Sequence, residues 1–314
     1  AVIIVPDTRK AYQDLARFHR RRFSIPVIAV TGSVGKTSTR SMIAAVLSQK
    51  YRVLQTEKNF NNEIGLPKTL LQLTPEHEAC VVEMGMRGLG QIAELAAIAE
   101  PDIGVVTNVG KSHIELLGSQ ENIARAKSEL VQALSADGIA ILNQDDSYVA
   151  SMADLCRGKV VGYGITSNAA IRASRVACSE KGLRFACRYF DQVMDIHMPL
   201  IGSHNVYNAL AAIAAGRVLG LTEHQLQRGL SEYRGMPMRQ ELIHLGEYTF
   251  INDAYNANPA SMSEALKSLS LLTKGRKIAV LGGMLELGDW TVREHEKIGA
   301  EAADLGLDAL ITMG

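Results

Sequence analysis

The sequence predicts an α/β protein: a central domain with a mostly parallel sheet plus a small antiparallel subsheet, followed by an incomplete Rossmann-like α/β domain. Three observations carry this prediction. From Val27 onward, short apolar runs of strand length alternate with stretches at helical spacing, the pattern of a parallel sheet covered on both faces. Residues 159–200 break that alternation with short runs of alternating polar and apolar positions and no long helix, which suits antiparallel pairing. Beyond Pro237 a second strand–helix series opens, and 314 residues are enough for one large core plus part of another.

Taken in order, residues 7–22 place Ala11, Leu15 and Phe18 at helical spacing, and Pro26 follows, so an opening helix ends in a break. Strands are expected at 27–30, 79–83, 103–109 and 138–142, with helices between them at 36–50, 66–73, 89–99 and 120–135. In the antiparallel region the strand-like runs are 182–189 and 193–199. After Gly202-Ser203-His204-Asn205 an Ala-rich helix runs to about Leu219, and a shorter one at 222–233 begins at Thr222, a good N-cap. The second series reads as a strand near 248–252, helix 260–271, strand 277–281, helix 291–304 and strand 309–313. The division expected is 1–22, 23–235 and 236–314, with no internal repeat and no low-complexity segment.

Composition excludes several function classes. Apolar residues are 47% and charged residues 21%, and Lys+Arg and Asp+Glu both number 33. A neutral chain whose longest basic run is Arg20-Arg21-Arg22 is not built for nucleic acid. No apolar stretch approaches the roughly 20 residues that span a bilayer, and Asp7, Arg9 and Lys10 interrupt the only apolar run near the N-terminus, so neither a membrane partner nor a signal peptide is expected. The four cysteines, Cys80, Cys156, Cys178 and Cys187, form no Cys-x-x-Cys pair and have no histidine at zinc spacing. They read as reduced thiols of a cytoplasmic protein, with Cys80 buried in a strand; a monomer is expected. The chain starts at Ala1 without methionine and stops at Gly314 straight after a strand-like run, as a fragment of a longer enzyme would.

The most specific local signal is Thr31-Gly32-Ser33-Val34-Gly35-Lys36-Thr37, between a strand and a helix. Its glycines let backbone N–H groups approach phosphate oxygens at a helix N-terminus, whose dipole favours anions. Lys36 supplies charge to the outer phosphates, and the Thr37 hydroxyl can ligate Mg²⁺. The alternative, a Gly-rich turn with an incidental lysine, fits poorly with a strand before and a helix after. The central domain is therefore expected to be a P-loop domain that binds ATP. Where the longer phosphate-loop pattern has a glycine four positions before the Gly-Lys pair, Val30 stands near that place, so the loop is of the shorter Gly-x-x-Gly-Lys-Thr form.

With that loop, the sequence resembles the Mur ligases, the ATP-dependent amide-forming enzymes of peptidoglycan precursor synthesis. The segments that carry the likeness are Asn59-Phe60-Asn61-Asn62-Glu63-Ile64-Gly65-Leu66-Pro67, Val82-Glu83-Met84-Gly85, Thr107-Asn108-Val109 with His113, and Ala126-Lys127. They continue through Gly202 to Leu210, Met238-Arg239, Asn252-Asp253-Ala254-Tyr255-Asn256-Ala257-Asn258-Pro259 and Leu281 to Gly288. The Asn-Phe-Asn-Asn-Glu, Asp-Ala-Tyr-Asn-Ala-Asn-Pro and Met-Leu-Glu-Leu-Gly runs are those of the family's MurF type. The likeness covers nearly the whole chain. It implies that residues 1–22 are the remnant of an N-terminal domain holding a uridine nucleotide, and that 236–314 is part of the C-terminal ligase domain.

The site residues combine residue chemistry with this resemblance. Glu83 stands at the end of a strand expected beside the loop strand, where open α/β sheets bind ligands. Alone it is as readily a solvated carboxylate; the resemblance makes it a Mg²⁺ ligand. His113, otherwise an ordinary loop histidine, is by resemblance a ligand of a second Mg²⁺, and Asn108 helps shape the site. Lys127 would ordinarily be a solvated helix residue. In related enzymes the matching lysine is carbamoylated, which turns a cation into an anionic oxygen ligand for the metal. Asn205 and Asn208, three apart on one helix face, have amides suited to the edges of adenine, although Asn205 is also a plausible cap. Arg239 and Asp253 match family residues that reach the phosphate and the ribose. Tyr255 stands where some Mur ligases have a lysine. Asn256 and Asn258 are candidates for positioning the amine or the acyl phosphate, and Glu286 and His295 match without a role.

Together the resemblance implies a catalytic set of Lys36, Lys127, His113 and Arg239. The nucleotide would be held by Thr31 to Thr37, Asn205, Asn208, Arg239 and Asp253, and the metal by Thr37, Glu83, His113 and Lys127. The implied reaction adds D-alanyl-D-alanine to UDP-N-acetylmuramoyl-tripeptide through an acyl phosphate, serving cell-wall biogenesis, cell shape and division. Two alternatives remain open at this point. One is another ligase on the same core, resembling folylpolyglutamate synthase or cyanophycin synthetase; the other is an ATP-binding module without catalysis.

Overall fold

The computed structural model describes residues 2–272 and 275–313. Its first helix, α1 (Thr8–Arg20), is capped by Asp7, whose side chain accepts from Lys10 N, and is followed by the break expected at Pro26. The central unit is a nine-stranded sheet whose strands, in chain order, are β1 (Val27–Thr31), β2 (Val53–Gln55), β3 (Ala79–Glu83), β4 (Ile103–Val106), β5 (Ile139–Asn143), β6 (Lys159–Gly164), β7 (Ile171–Ser179), β8 (Gly182–Tyr189) and β9 (Gln192–Met198). Their spatial order is β2-β3-β1-β4-β5-β6-β7-β8-β9. The loop strand β1 therefore lies between β3, which ends in Glu83, and β4, which leads to Asn108 and His113. Pairing is parallel from β2 as far as β7 and antiparallel from β7 to β9.

The helices of this unit are α2 (Lys36–Leu47), α3 (Gly65–Leu70), α4 (Gln91–Ala99), α5 (Ile114–Leu117), α6 (Gln120–Ala133), α7 (Ser147–Ser151), α8 (His204–Val218) and α9 (Glu223–Glu232). They cover both faces, and β1 shows why its residues are all apolar up to Thr31. Ile28 and Val30 enter one core with α2, α8 and α9, whereas Val27 and Ala29 enter the other with α3, α4 and α6. Alternating side chains of a doubly covered strand must all be apolar. Cys80 is buried in β3, as expected, and its thiol is pushed up to about 12 by burial.

Several details differ from the sequence reading: β7, the strand Glu241–Leu245 and the short helices α5 and α7 were not expected, and the strand expected at 103–109 ends at Val106. The antiparallel strands do not form a sheet of their own; they extend the parallel one, and Lys159–Gly164, inside the region read as antiparallel, pairs parallel with β5. The short edge strand β2 was not expected, because three residues between a helix and a loop carry no readable alternation.

The second unit contains the hairpin β10 (Glu241–Leu245) and β11 (Tyr248–Asn252), then α10 (Pro259–Ser270), β12 (Ile278–Gly282), α11 (Thr291–Asp304) and β13 (Ala309–Met313). Strands β12 and β13 are parallel, as a strand–helix–strand crossover requires, while β11 pairs only with β10 among the described residues. A small core of Met262, Leu266, Ala279, Met284, Leu287, Ile298 and Ala302 holds α10 and α11 on β12. Among the described residues no helix is long and apolar enough to cross a membrane.

Candidate active site

The turn after β1 is braced on all sides by β4 and the segment that follows it. Asn108 acts as a substitute strand: its Oδ1 accepts from Val34 N and its Nδ2 donates to Val34 O, both at 2.9 Å. Its carbonyl accepts from Ser33 N at 2.9 Å, and Thr107 Oγ1 donates to Val34 O at 2.7 Å. This proximity explains Gly32. A Cβ there would lie 1.9 Å from Thr107 Oγ1, so only glycine permits the approach. Gly35 caps α2 in the left-handed region at φ 81, which turns the chain so that α2 starts with its free N–H groups at the sheet edge.

A cavity of about 850 Å³ opens over this helix start. Of the predicted loop residues, Ser33, Val34, Gly35, Lys36 and Thr37 line it. Thr31 and Gly32 lie behind the wall, with Thr31 fully buried and its Oγ1 donating to Met84 O. Glu83, Asn108, His113, Lys127, Asn205, Asn208, Arg239 and Asp253 all face the same cavity. Residues read from separate segments are thus brought together, and the wall is shared by both units.

The electrostatics of the cavity are those of clustered cations. Lys36 Nζ curls back to donate to Gly32 O (2.8 Å) and Ser33 O (3.3 Å). Burial lowers its proton affinity and Arg239 lowers it further, with Glu83 acting in the opposite sense. Lys127 is 2% exposed on α6, and burial together with Lys36 holds its pKa well below the usual lysine range. Among the described residues no carboxylate pairs with it. His113 begins α5 in a left-handed conformation at φ 66. Burial pulls its pKa down, opposed by a hydrogen bond to Glu286 from the second unit.

Glu83 is the one buried carboxylate in this group, at 2% exposure. Asn61 Nδ2 donates to its Oε1 at 2.7 Å, whereas Oε2 has no hydrogen-bond partner and sits 3.9 Å from Arg40 Nε, which is equally unpartnered. A buried carboxylate oxygen and a hydroxyl (Thr37) lining one cavity suit Mg²⁺, which takes one or two carboxylates and completes its shell with phosphate and water. Among the described residues no cluster of three or more His, Cys, Asp or Glu side chains could hold a metal unaided. The donor set therefore fits a nucleotide-bound ion better than a protein-only cage.

Asn205 Nδ2 donates to Ile201 O (2.8 Å), and its Oδ1 accepts from Asn208 Nδ2 (3.0 Å), whose own Oδ1 accepts from Thr39 Oγ1 (2.9 Å). The two amides are thus tied into a chain linking α8 to the loop helix. From the second unit, Asp253 accepts from Gln240 N at 3.2 Å, and burial raises its pKa. Asn258 caps α10 by accepting from Ser261 N, and Asn256 lies beside it on the cavity wall. His295 is tied to Met284 N and Thr291 O, a bracing position within the second unit.

Several participants had no readable signal. Arg40 is buried four positions beyond Lys36, where helical spacing says nothing of a partner on β3. Lys111 is 2.5 Å from the buried Glu294 and lies over the Trp290 ring at 4.2 Å. With the His113–Glu286 contact, this ties the β4–α5 connection to the second unit. Glu286 was conspicuous as part of a motif, yet its partner is remote in sequence.

Residues 30–216 match the Mur ligase middle domain, and 238–314 match the Mur ligase glutamate ligase domain. A Synechocystis sp. protein named UDP-N-acetylmuramoyl-tripeptide–D-alanyl-D-alanine ligase is 42% identical over 314 residues, covering 100% of this chain and 67% of its own length. Crystal structure I of MurF from Acinetobacter baumannii superposes with a TM-score of 0.95 at 33% identity, over 99% of this chain and 69% of that one. The MurF ligase of Thermotoga maritima in complex with ADP gives 0.89 at 27% identity, over 99% and 76%. The chain belongs to the Mur ligase family, alongside its UDP-N-acetylmuramoyl-tripeptide–D-alanyl-D-alanine ligases.

Proposed function

We propose that the protein joins D-alanyl-D-alanine to UDP-N-acetylmuramoyl-tripeptide at the expense of ATP, in peptidoglycan precursor synthesis. The observation that carries the reading is the shared cavity: the phosphate loop, Glu83, His113 and Lys127 form one wall, and Arg239 and Asp253 from the second unit form the other. The names of the relatives support the substrates, and the ADP complex of the Thermotoga maritima protein supports the nucleotide. Residues 1–22, 23–235 and 236–314 are read as the end of a preceding domain, the ATP-binding domain and part of the ligase domain.

In this mechanism the loop amides and Lys36 cradle the triphosphate, with Asn205 and Asn208 at the base and Asp253 at the ribose. A carboxylate oxygen of the tripeptide attacks the γ-phosphorus, the bond to the β–γ bridging oxygen breaks, and ADP leaves. The free amine of the dipeptide then attacks the acyl carbon and loses a proton, and inorganic phosphate departs. Lys36 and Arg239 meet charge on the transferring phosphoryl group, and the two walls hold the reactants in line. When bound, Mg²⁺ would neutralise phosphate oxygens, held by Thr37, Glu83 and His113. Lys127 joins that set as a carbamate: a buried lysine with a depressed pKa presents the neutral amine that adds CO₂, and the product is an anion where an ammonium would repel the metal.

The protein is further read as cytoplasmic and monomeric, with neither nucleic acid nor membrane as a partner. Phosphate release tests the function. It is expected to require both the UDP-linked tripeptide and D-alanyl-D-alanine; release indifferent to the dipeptide would sink the assignment.

A further inference from the structure

Arg239 is the cation that the second unit presents to the phosphate loop, and the chain treats it unusually. It stands between Met238 at φ 58 and Gln240 at φ 48, both left-handed without being glycine. Each such residue carries backbone strain that the surroundings must hold in place. They do so through Met238 N, which donates to Glu241 Oε2 (3.0 Å), Arg239 N to Met236 O (3.2 Å) and Gln240 N to Asp253 Oδ1 (3.2 Å). The backbone under Arg239 is therefore fixed, but its long side chain needs its own restraint. Among the described residues no carboxylate lies within ion-pair distance of it, although Asp253 on the same cavity wall is near enough to feel its charge. Its guanidinium instead lies over the Tyr255 ring, 4.0 Å from the centroid, and both residues line the cavity.

The choice of partner matters chemically. Arg239 and Lys36 line the same cavity, and repulsion between two cations there would push an unrestrained guanidinium toward solvent. A carboxylate partner would hold it while cancelling the charge meant for phosphate. An aromatic face holds the guanidinium plane by its quadrupole and leaves the charge and the N–H edge free.

We infer that Tyr255 is a positioning residue, whose ring holds Arg239 toward the outermost phosphate of the nucleotide without neutralising it. The inference rests on the phosphate role proposed for Arg239.

The test is calorimetric binding to the full protein, with magnesium, of β,γ-methylene-ATP and of ADP. Tyr255→Leu is expected to weaken analogue binding about three- to thirtyfold and ADP binding by less than about twofold, while Tyr255→Phe, which keeps the ring, stays within about twofold of the parent for both. In an Arg239→Ala background, Tyr255→Leu is expected to add no further loss. Tyr255 is 45% exposed, so its truncation leaves the core intact. The inference is overturned if Tyr255→Leu binds the analogue like the parent while Arg239→Ala does not. Equal weakening of ADP, or an undiminished loss in the Arg239→Ala background, overturns it as well. If Arg239→Ala itself binds both ligands normally, the phosphate role of Arg239 falls, and the inference with it.

Discussion

Substituting Gly35 by alanine attacks the loop at the point where backbone conformation and packing meet. Gly35 is left-handed at φ 81, and a Cβ there would stand 3.0 Å from Asn208 Oδ1. The left-handed conformation costs a non-glycine residue about 1–2 kcal/mol. Pushing Asn208 back by a few tenths of an ångström strains its bond from Thr39 Oγ1 (2.9 Å), at up to about 1 kcal/mol for a buried hydrogen bond. The sum is about 1–3 kcal/mol, and for a unit of this size it lowers Tm by about 2–12 °C. Gly90 provides the control. It caps α4 at φ 83, but a Cβ there meets nothing within 4 Å, so Gly90→Ala should show only the conformational part, about 1–2 kcal/mol. The assay is thermal unfolding of both variants, paired with ATP binding. Gly35→Ala should lose more stability than Gly90→Ala and should also lose nucleotide affinity, because Asn208 and the start of α2 both move. Equal Tm shifts, or undiminished ATP affinity in Gly35→Ala, would refute this account of the loop.

Other perturbations follow from the same geometry. Lys111→Met strands the Glu294 carboxylate, which is 3% exposed, and should cost about 2 kcal/mol in urea unfolding; adding Glu294→Gln should recover most of it, and an additive double variant would show that the contact carries no energy. Lys127→Ala should abolish phosphate release, with short carboxylates restoring part of it, and isotopically labelled bicarbonate should give a carbamate signal absent from Lys127→Arg; an unmodified lysine in active protein would contradict this. The Glu264 carboxyl is held at about 2, against an ordinary 4.5, by its contact with His204 and then by Lys267. A depressed acid contributes its stability in full above the unfolded pKa and loses it as pH falls, so Tm should drop between about 4.5 and about 2. Glu264→Gln should flatten that part of the profile, and a profile with the same slope would refute the attribution.

The legible features were local ones. The Gly32–Thr37 spacing sits between a strand and a helix, and both neighbours follow from hydrophobic period alone. Helix 291–304 and strand 309–313 were likewise read at their observed limits. Glu83 and Lys127 faced the cavity, but only the resemblance singled them out, since a strand-end glutamate and a helix lysine have ordinary explanations. What stayed hidden is contact across long separations. Glu286 meets His113 from 173 positions away, and Lys111 meets Glu294 across 183; no periodicity encodes such a pair. The parallel pairing of β6 was hidden for a related reason: alternation describes which faces are buried, not the direction of the neighbouring strand. Arg40 shows the same limit for charge, because residue type predicts solvent and only the fold puts it beside Glu83.

The most direct test of the central claim is the fate of one oxygen atom. If the tripeptide carboxylate attacks the γ-phosphorus, one of its oxygens must leave with inorganic phosphate when the dipeptide amine displaces it. Tripeptide substrate carrying heavy oxygen in its terminal carboxylate, turned over with ATP and D-alanyl-D-alanine, should give phosphate bearing one labelled oxygen for each amide bond formed. Amide product accompanied by unlabelled phosphate would contradict the account.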